Sequence, residues 1–158
     1  MMAKKRFKSL KTFTIASLTV LCGLVAMDSV LAETSAQSVL AAAAQESGAH
    51  VTSSGLVIRM VKEGKGTQPT PASTVKVHYR GTFPNGQEFD SSYKRGEPIE
   101  FPLRGVIPCW TEGVSMMKVG AKAKLTCPSS IAYGARGAGG VIPPNATLVF
   151  DVELLEVR

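Results

Sequence analysis

Histidine and cysteine are scarce in this sequence: 158 residues hold two of the first and three of the second. His50 sits in an Ala/Ser-rich stretch and His78 stands between Lys76 and Arg80, so both are expected to be solvated. No Cys/His spacing suits a zinc site, and no Ser-His-Asp set is credible with these two histidines. The Gly-rich run from Gly134 to Gly140 fails as a phosphate loop, because Pro143 and Pro144 stand where a helix N-terminus is needed. Aromatic residues make up only 6% of the chain, so any place where several fall together carries information.

Positive charge is plentiful at one end only. The chain totals 18 Lys+Arg and 12 Asp+Glu, a net of +6. Lys4, Lys5, Arg6, Lys8 and Lys11 precede an uncharged, mostly apolar run from Thr12 to Met27, which ends near Val30-Leu31-Ala32. A basic start, an apolar run of this length and a small residue before a cut are the parts of a secretory signal peptide, here residues 1–32. The run is short for a membrane span, which needs about 20 apolar residues, so an uncleaved anchor is the lesser reading. Cys22 would suit lipid attachment, but Leu21 is bulky where that signal wants a small residue. Cleavage after Ala32 removes the five cations and Asp28. It leaves 126 residues with 13 basic and 11 acidic groups, a net of +2. Nucleic-acid binding by a basic surface then loses its support, and no stable membrane association is expected after cleavage. The expected location is outside the cytoplasm: the periplasm where there is an outer membrane, the cell exterior otherwise.

The mature length suits one domain with a modest core. Residues 33–54 are rich in Ala, Ser, Gln and Thr and read as a flexible linker. Val39 to Gln45 could form two helical turns, marginal in isolation. Leu56 to Val61 is a β-branched run expected as a first strand, with Gly64, Gly66, Pro69 and Pro71 breaking it into a loop. Thr74 to Thr82 alternates cleanly, Val75, Val77 and Tyr79 against Lys76, His78 and Arg80, as a half-buried strand does. Pro84-Asn85-Gly86 is a turn, Glu88 to Asp90 and Ile99 to Pro102 are short strand pieces, and Ser91 to Pro98 is a polar loop. Trp110, Val114 and Met117 recur at helical spacing after Pro108, which predicts one short helix over Pro108 to Met117. Ala123, Leu125 and Cys127, and then Leu148, Phe150, Val152 and Leu154, mark the inward faces of two more strands. One helix cannot cover both faces of such a sheet, so the sheet must bend around it. The expected class is α+β, a twisted antiparallel β-sheet wrapped around one short α-helix.

Four segments together resemble a known family. They are Val75 to Gly81, Phe89-Asp90-Ser91-Ser92, Ile131-Ala132-Tyr133-Gly134, and the long run from Val141 to Leu155, with Trp110 between them. The likeness is to the FKBP-type (macrolide-binding immunophilin) peptidyl-prolyl cis–trans isomerases, and it covers Gly55 to Arg158. It implies an isomerase domain over residues 55–158 that acts on proline-containing polypeptides outside the cytoplasm, binds macrolide-type inhibitors and needs no metal or cofactor. A peptide-binding or chaperone module with little turnover is the alternative. Some exported relatives carry a long dimerisation domain ahead of this region. The chain has no room for one, so a monomer is expected.

The resemblance also implies roles. Trp110 would be the floor beneath a proline ring, Tyr79, Phe89 and Phe150 the walls, and Val106 and Ile107 the rim. Tyr133 would aim its hydroxyl at a substrate carbonyl, and Asp90 would orient the peptide at the mouth. Arg95 matches a position that holds the aspartate. Ile99 stands where many relatives have an aromatic residue, making one wall smaller. Val141 and Ile142 would lie on a flap-like loop. Taken singly, Tyr79 and Phe150 read as core and Asp90 as a turn residue; the ordered set is what makes the match specific. Cys109 and Cys127, the cysteines of the mature part, have three open states: a disulfide, two buried thiols, or a reactive Cys109 at a helix start. The bridge is placed first, although most relatives have Gly at the Cys109 position.

Overall fold

The computed structural model describes residues 35–158; the expected signal peptide lies outside them. Seven antiparallel strands form one sheet: β1 (Ala49–Val51), β2 (Val57–Lys62), β3 (Thr74–Thr82), β4 (Glu88–Ser91), β5 (Ile99–Pro102), β6 (Lys122–Cys127) and β7 (Leu148–Val157). The order is β1-β2-β6-β7-β3-β4, with β5 also on β3. β4 takes the Arg80–Thr82 end of β3 and β5 the Thr74–Val77 end, so one long strand carries two short ones along its outer edge.

Register lines up the inward side chains in rows. Gly81 stands opposite Phe150, Phe150 opposite Leu125, and Leu125 opposite Ile58. The next row runs Tyr79, Val152, Ala123 and Met60. A short helix, α3 (Pro108–Ser115), packs on this face with Cys109, Trp110, Gly113 and Val114 buried. Its approach depends on Gly113, where a Cβ would come 2.9 Å from both Leu125 methyls. Proline at the first position suits the helix start, since its missing N–H is one of the orphans there anyway. The helix is shorter than its apolar spacing predicts. Met117 N–H bonds to the Val114 carbonyl at 3.0 Å, an i to i−3 contact that tightens the end while Met117 remains fully buried. A disulfide joins Cys109 to Cys127, Cα atoms 5.9 Å apart, and ties the first turn of α3 to the end of β6.

Three further features differ from the sequence-based expectations. Residues 35–44 are helical (α1), and β1 pairs with β2, so residues 33–54 are not all linker. A stretch poor in large apolar groups is held to the sheet by other contacts. Ala43 is buried, and Glu46 reaches Arg59 at 2.7 Å and Lys124 at 2.8 Å. The expected loop after β4 contains a one-turn helix, α2 (Ser92–Arg95), capped by the Ser91 hydroxyl and closed by Gly96 at φ 78°. His78 is not simply solvated: its ring stacks on Tyr93 with centroids 4.6 Å apart, and Nδ1 lies 2.9 Å from the Ser92 hydroxyl.

Candidate active site

Between α3, the Phe89 end of the sheet and the segment leading from β5 lies a cavity of about 330 Å³. Its centre is Trp110, in the first turn of α3 and almost fully buried. Tyr79 and Phe150 meet the indole edge-on at 5.1 and 5.3 Å, and Phe101 tilts against it at 5.3 Å. Phe89 meets Phe150 edge-on at 5.7 Å. These T-shaped contacts place the positive edge of one ring against the negative face of the next, which fixes ring planes as well as positions. The backbone allows the cluster to close at Gly81, where a Cβ would sit 2.6 Å from Phe89 and 3.1 Å from Phe150.

One charged group enters this apolar surround. Asp90, next to Phe89 on β4, accepts hydrogen bonds from the Tyr79 hydroxyl and from Arg95 of α2. Arg95 also donates to the Tyr79 oxygen at 3.1 Å, and its guanidinium lies 5.7 Å from the centre of the Tyr79 ring. Burial opposes ionisation of Asp90, but the bonds from Tyr79 and Arg95 outweigh it and hold the carboxyl below its ordinary value. Burial, reinforced by the Asp90 acceptor, pushes the Tyr79 hydroxyl up. The bond to Asp90 raises Arg95 further still. The three groups thus present a fixed carboxylate, a neutral phenol and a permanent cation.

Nine of the expected residues line the cavity: Tyr79, Phe89, Asp90, Ile99, Val106, Ile107, Trp110, Tyr133 and Phe150. Tyr133 is 37% exposed, and its hydroxyl makes no hydrogen bond to the described residues. Three expected residues stand outside the lining. Arg95 lies behind Asp90. Ile142 is buried in the core cluster and Val141 projects into solvent at the turn of the Gly-rich loop, 57% exposed. The Ala138–Ile142 bridge explains that split: it folds the loop back so that adjacent side chains point opposite ways. Phe101 and Gly105 line the cavity without having been singled out. Phe101 stands two residues from Ile99, and the two-residue period of a strand would have placed both on one face.

What the cavity can do follows from its contents. It offers an apolar, aromatic volume for a small ring, one fixed carboxylate and one free phenol at the rim, and among the described residues no cluster that could hold a metal.

The sequence profile described as FKBP-type peptidyl-prolyl cis–trans isomerase matches residues 65–155. FkpA of Escherichia coli (strain K12), an FKBP-type peptidyl-prolyl cis–trans isomerase, is 55% identical over 115 residues, which are 73% of this chain and 42% of that protein. FK506-binding protein 1 of Dictyostelium discoideum is 58% identical over 106 residues, 66% of this chain and 99% of that one. The crystal structure of Escherichia coli FkpA superposes with a TM-score of 0.80 at 48% identity, covering 84% of this chain and 62% of that one. The chain therefore spans less than half the length of the bacterial relative, while it matches the Dictyostelium protein over nearly all of it. On sequence, sheet topology and the aromatic cavity together, this chain belongs to the FKBP-type peptidyl-prolyl cis–trans isomerase family.

Proposed function

We propose that the protein accelerates cis–trans rotation of Xaa–Pro bonds in exported polypeptides. The observation that carries the reading is the Trp110-centred aromatic cavity with Asp90 and Tyr133 at its edge. Rotation about a peptide bond meets a barrier of about 18–20 kcal/mol because amide resonance is lost. The twisted amide has a more pyramidal nitrogen and a less polar carbonyl than the planar one. A site that excludes water withdraws solvation from the polar planar form more than from the twisted form, and so lowers the barrier. Proline is the residue whose preceding bond populates both isomers appreciably, and its apolar ring suits the cavity.

In this reading the proline ring rests on Trp110, between Tyr79, Phe89 and Phe150, with Ile99 and Phe101 completing the walls. Val106 and Ile107 bound the mouth next to α3. Tyr133 donates its hydroxyl to a client carbonyl. Asp90, kept ionised by Arg95 and Tyr79, orients the client's backbone. Val141, at the loop turn, meets residues of the client outside the cavity, and Ile142 anchors that loop in the core.

The proposal extends to where the protein works and in what form. Residues 1–32 act as a signal peptide, and the mature chain works as a monomer outside the cytoplasm, in the periplasm of a cell with an outer membrane. Macrolides that fill the cavity inhibit it. The test is a proline-isomerisation assay on a short Xaa-Pro peptide with mature protein, without added metal or nucleotide. Acceleration over the uncatalysed rate, abolished by a macrolide, is the expected result. Folded protein giving no acceleration would leave a peptide-binding module in place of an enzyme.

A further inference from the structure

One wall of the cavity has a second face. The 3-10 turn Leu103–Gly105 leads through Val106 and Ile107 into α3. Gly105, Val106 and Ile107 line the aromatic cavity. Val106 also lines an open groove on the far side of this segment, together with Pro71, Arg104, Pro108, Glu112 and Met116. The groove measures about 770 Å³, more than twice the cavity's 330 Å³. Its apolar members are left in water: Met116 is 37% exposed, and Pro71 and Pro108 are exposed. An apolar surface continuous with a binding cavity is a place where a bound chain gains by staying in contact. The two prolines add rigid walls that lose little freedom when covered.

We propose that this groove is an accessory subsite for the client polypeptide, holding an extended apolar segment next in sequence to the proline in the cavity. The proposal rests on the isomerase reading above. The client is favoured as occupant because the two depressions share Val106. A chain seated on Trp110 would leave the cavity past Val106, which borders both, and each extended residue advances it by about 3.3–3.6 Å. The charges at the groove add a preference. Glu112 keeps its charge but is half-buried and held by the Ser54 hydroxyl at 2.5 Å, whereas Arg104 is exposed and makes no ion pair among the described residues. The exposed cation favours an acidic over a basic residue in the flanking segment, an effect that added salt weakens.

The test compares a short Xaa-Pro core peptide with the same core carrying a Leu/Val run before or after the proline. Both kcat/KM and affinity, by fluorescence anisotropy, are measured. One of the two extensions should raise kcat/KM about tenfold, equivalent to burying roughly two methylene groups. Met116→Gln and Pro71→Ser should each remove most of that gain while leaving the core peptide's rate unchanged. A Lys placed in the effective extension should weaken it relative to Glu, and Arg104→Glu should reverse that order. The proposal is overturned if neither extension gains, or if the variants lower core and extended peptides alike. If the core peptide is not turned over at all, the isomerase reading fails and anisotropy decides the groove by itself. Tighter binding of the extended peptide, lost in Met116→Gln, then supports it, and equal binding rejects it.

Discussion

Strand β7 runs between two environments that differ in how they hold side chains. Leu148, Phe150, Val152 and Leu154 face α3 and the aromatic cavity and are all but fully buried. Asp151 and Glu153 face the other way, opposite Lys124 and Lys122 of β6. On the inner face, positions are set by contact with many neighbours at once, and the aromatic rings lock one another's planes. On the outer face, positions are set by pairs such as Lys122–Glu153 at 3.0 Å and Arg80–Glu88 at 2.8 Å, with water close by. Packed contacts add up and resist salt. Exposed pairs contribute about 0–1 kcal/mol each. The inner face can therefore hold a rigid site, and the outer face can give way at little loss. Asp90 is the informative exception, a carboxylate held by an outer-type ion pair but placed at the inner cavity.

The sharpest way to test this contrast is to truncate an inner side chain. Phe150→Ala removes a buried ring that touches both Trp110 and Phe89. It should cost about 3–5 kcal/mol, a large part of the roughly 5–15 kcal/mol that holds a small domain together. Turnover of the remaining folded fraction should fall as well, because the cavity loses a wall. Urea denaturation beside kcat/KM reads both effects, and an unchanged midpoint would place Phe150 outside the packed core.

Next in size is the bridge between the faces of α3 and β6. Replacing both Cys109 and Cys127 by Ala, 18 positions apart in sequence, should destabilise by about 3 kcal/mol in the chain-entropy account. Cys109 precedes Trp110, so the variant should also broaden the indole's fluorescence response to a cavity ligand. A midpoint unmoved from that of the oxidised parent would count against any structural role for the bridge.

Asp90 separates site from packing. Asp90→Ala should lower kcat/KM at least tenfold with a much smaller shift in midpoint, since the carboxylate is partly exposed and its loss opens no cavity. Tyr133→Phe should follow it, keeping the ring and losing the free hydroxyl. The pH profile gives an independent reading. The folded value of Asp90 is depressed, so its interaction with Arg95 and Tyr79 is present above the unfolded value of about 3.9 and fades as pH falls through the lower folded value. Activity should therefore persist through the ordinary carboxylate range on the acid side. A loss centred near pH 5 or 6 would assign the control to another group. An Asp90→Ala protein that unfolds while its folded fraction stays fully active would make Asp90 structural.

Much of this arrangement was legible in the sequence because it obeys a period. β3 and β7 alternate over nine and ten residues, long enough for a two-residue repeat to stand out. The aromatic lining was legible only as an ordered set, since Tyr79 and Phe150 alone look like core and in part are core. What escaped is what has no period. The four residues of α2 are too few for a helical repeat, although Ser91 and Gly96 bracket them with cap residues. The opposite fates of Val141 and Ile142 depend on a single bridge within the Gly-rich loop. The two turns expected at Val39 to Gln45 are too short to stand alone, and the ion pairs of Glu46 just beyond the helix, to Arg59 and Lys124, come from far along the chain.

That last attachment supplies the smallest effect and the cleanest counterpart to Asp90. Glu46, like Asp90, is a carboxylate held by two partners, but both are cations on the outer face, and the pocket it borders has one aromatic residue, Phe83, in place of an aromatic cluster. The bond from Lys124, outweighing burial, keeps its pKa below the ordinary value. By the same sign argument, its contribution is present above the unfolded value of about 4.3 and is lost as pH falls through the lower folded one. Glu46→Gln keeps the shape and removes the charge, so it should lower stability by no more than about 1 kcal/mol and less at high salt. Hydrogen exchange at residues 35–51 should speed up while exchange in β7 and turnover on a short peptide stay at parent levels. If Glu46→Gln instead slows turnover as Asp90→Ala does, the outer face is coupled to the cavity. The separation drawn between the two sides of β7 would then fail where it was expected to be strongest.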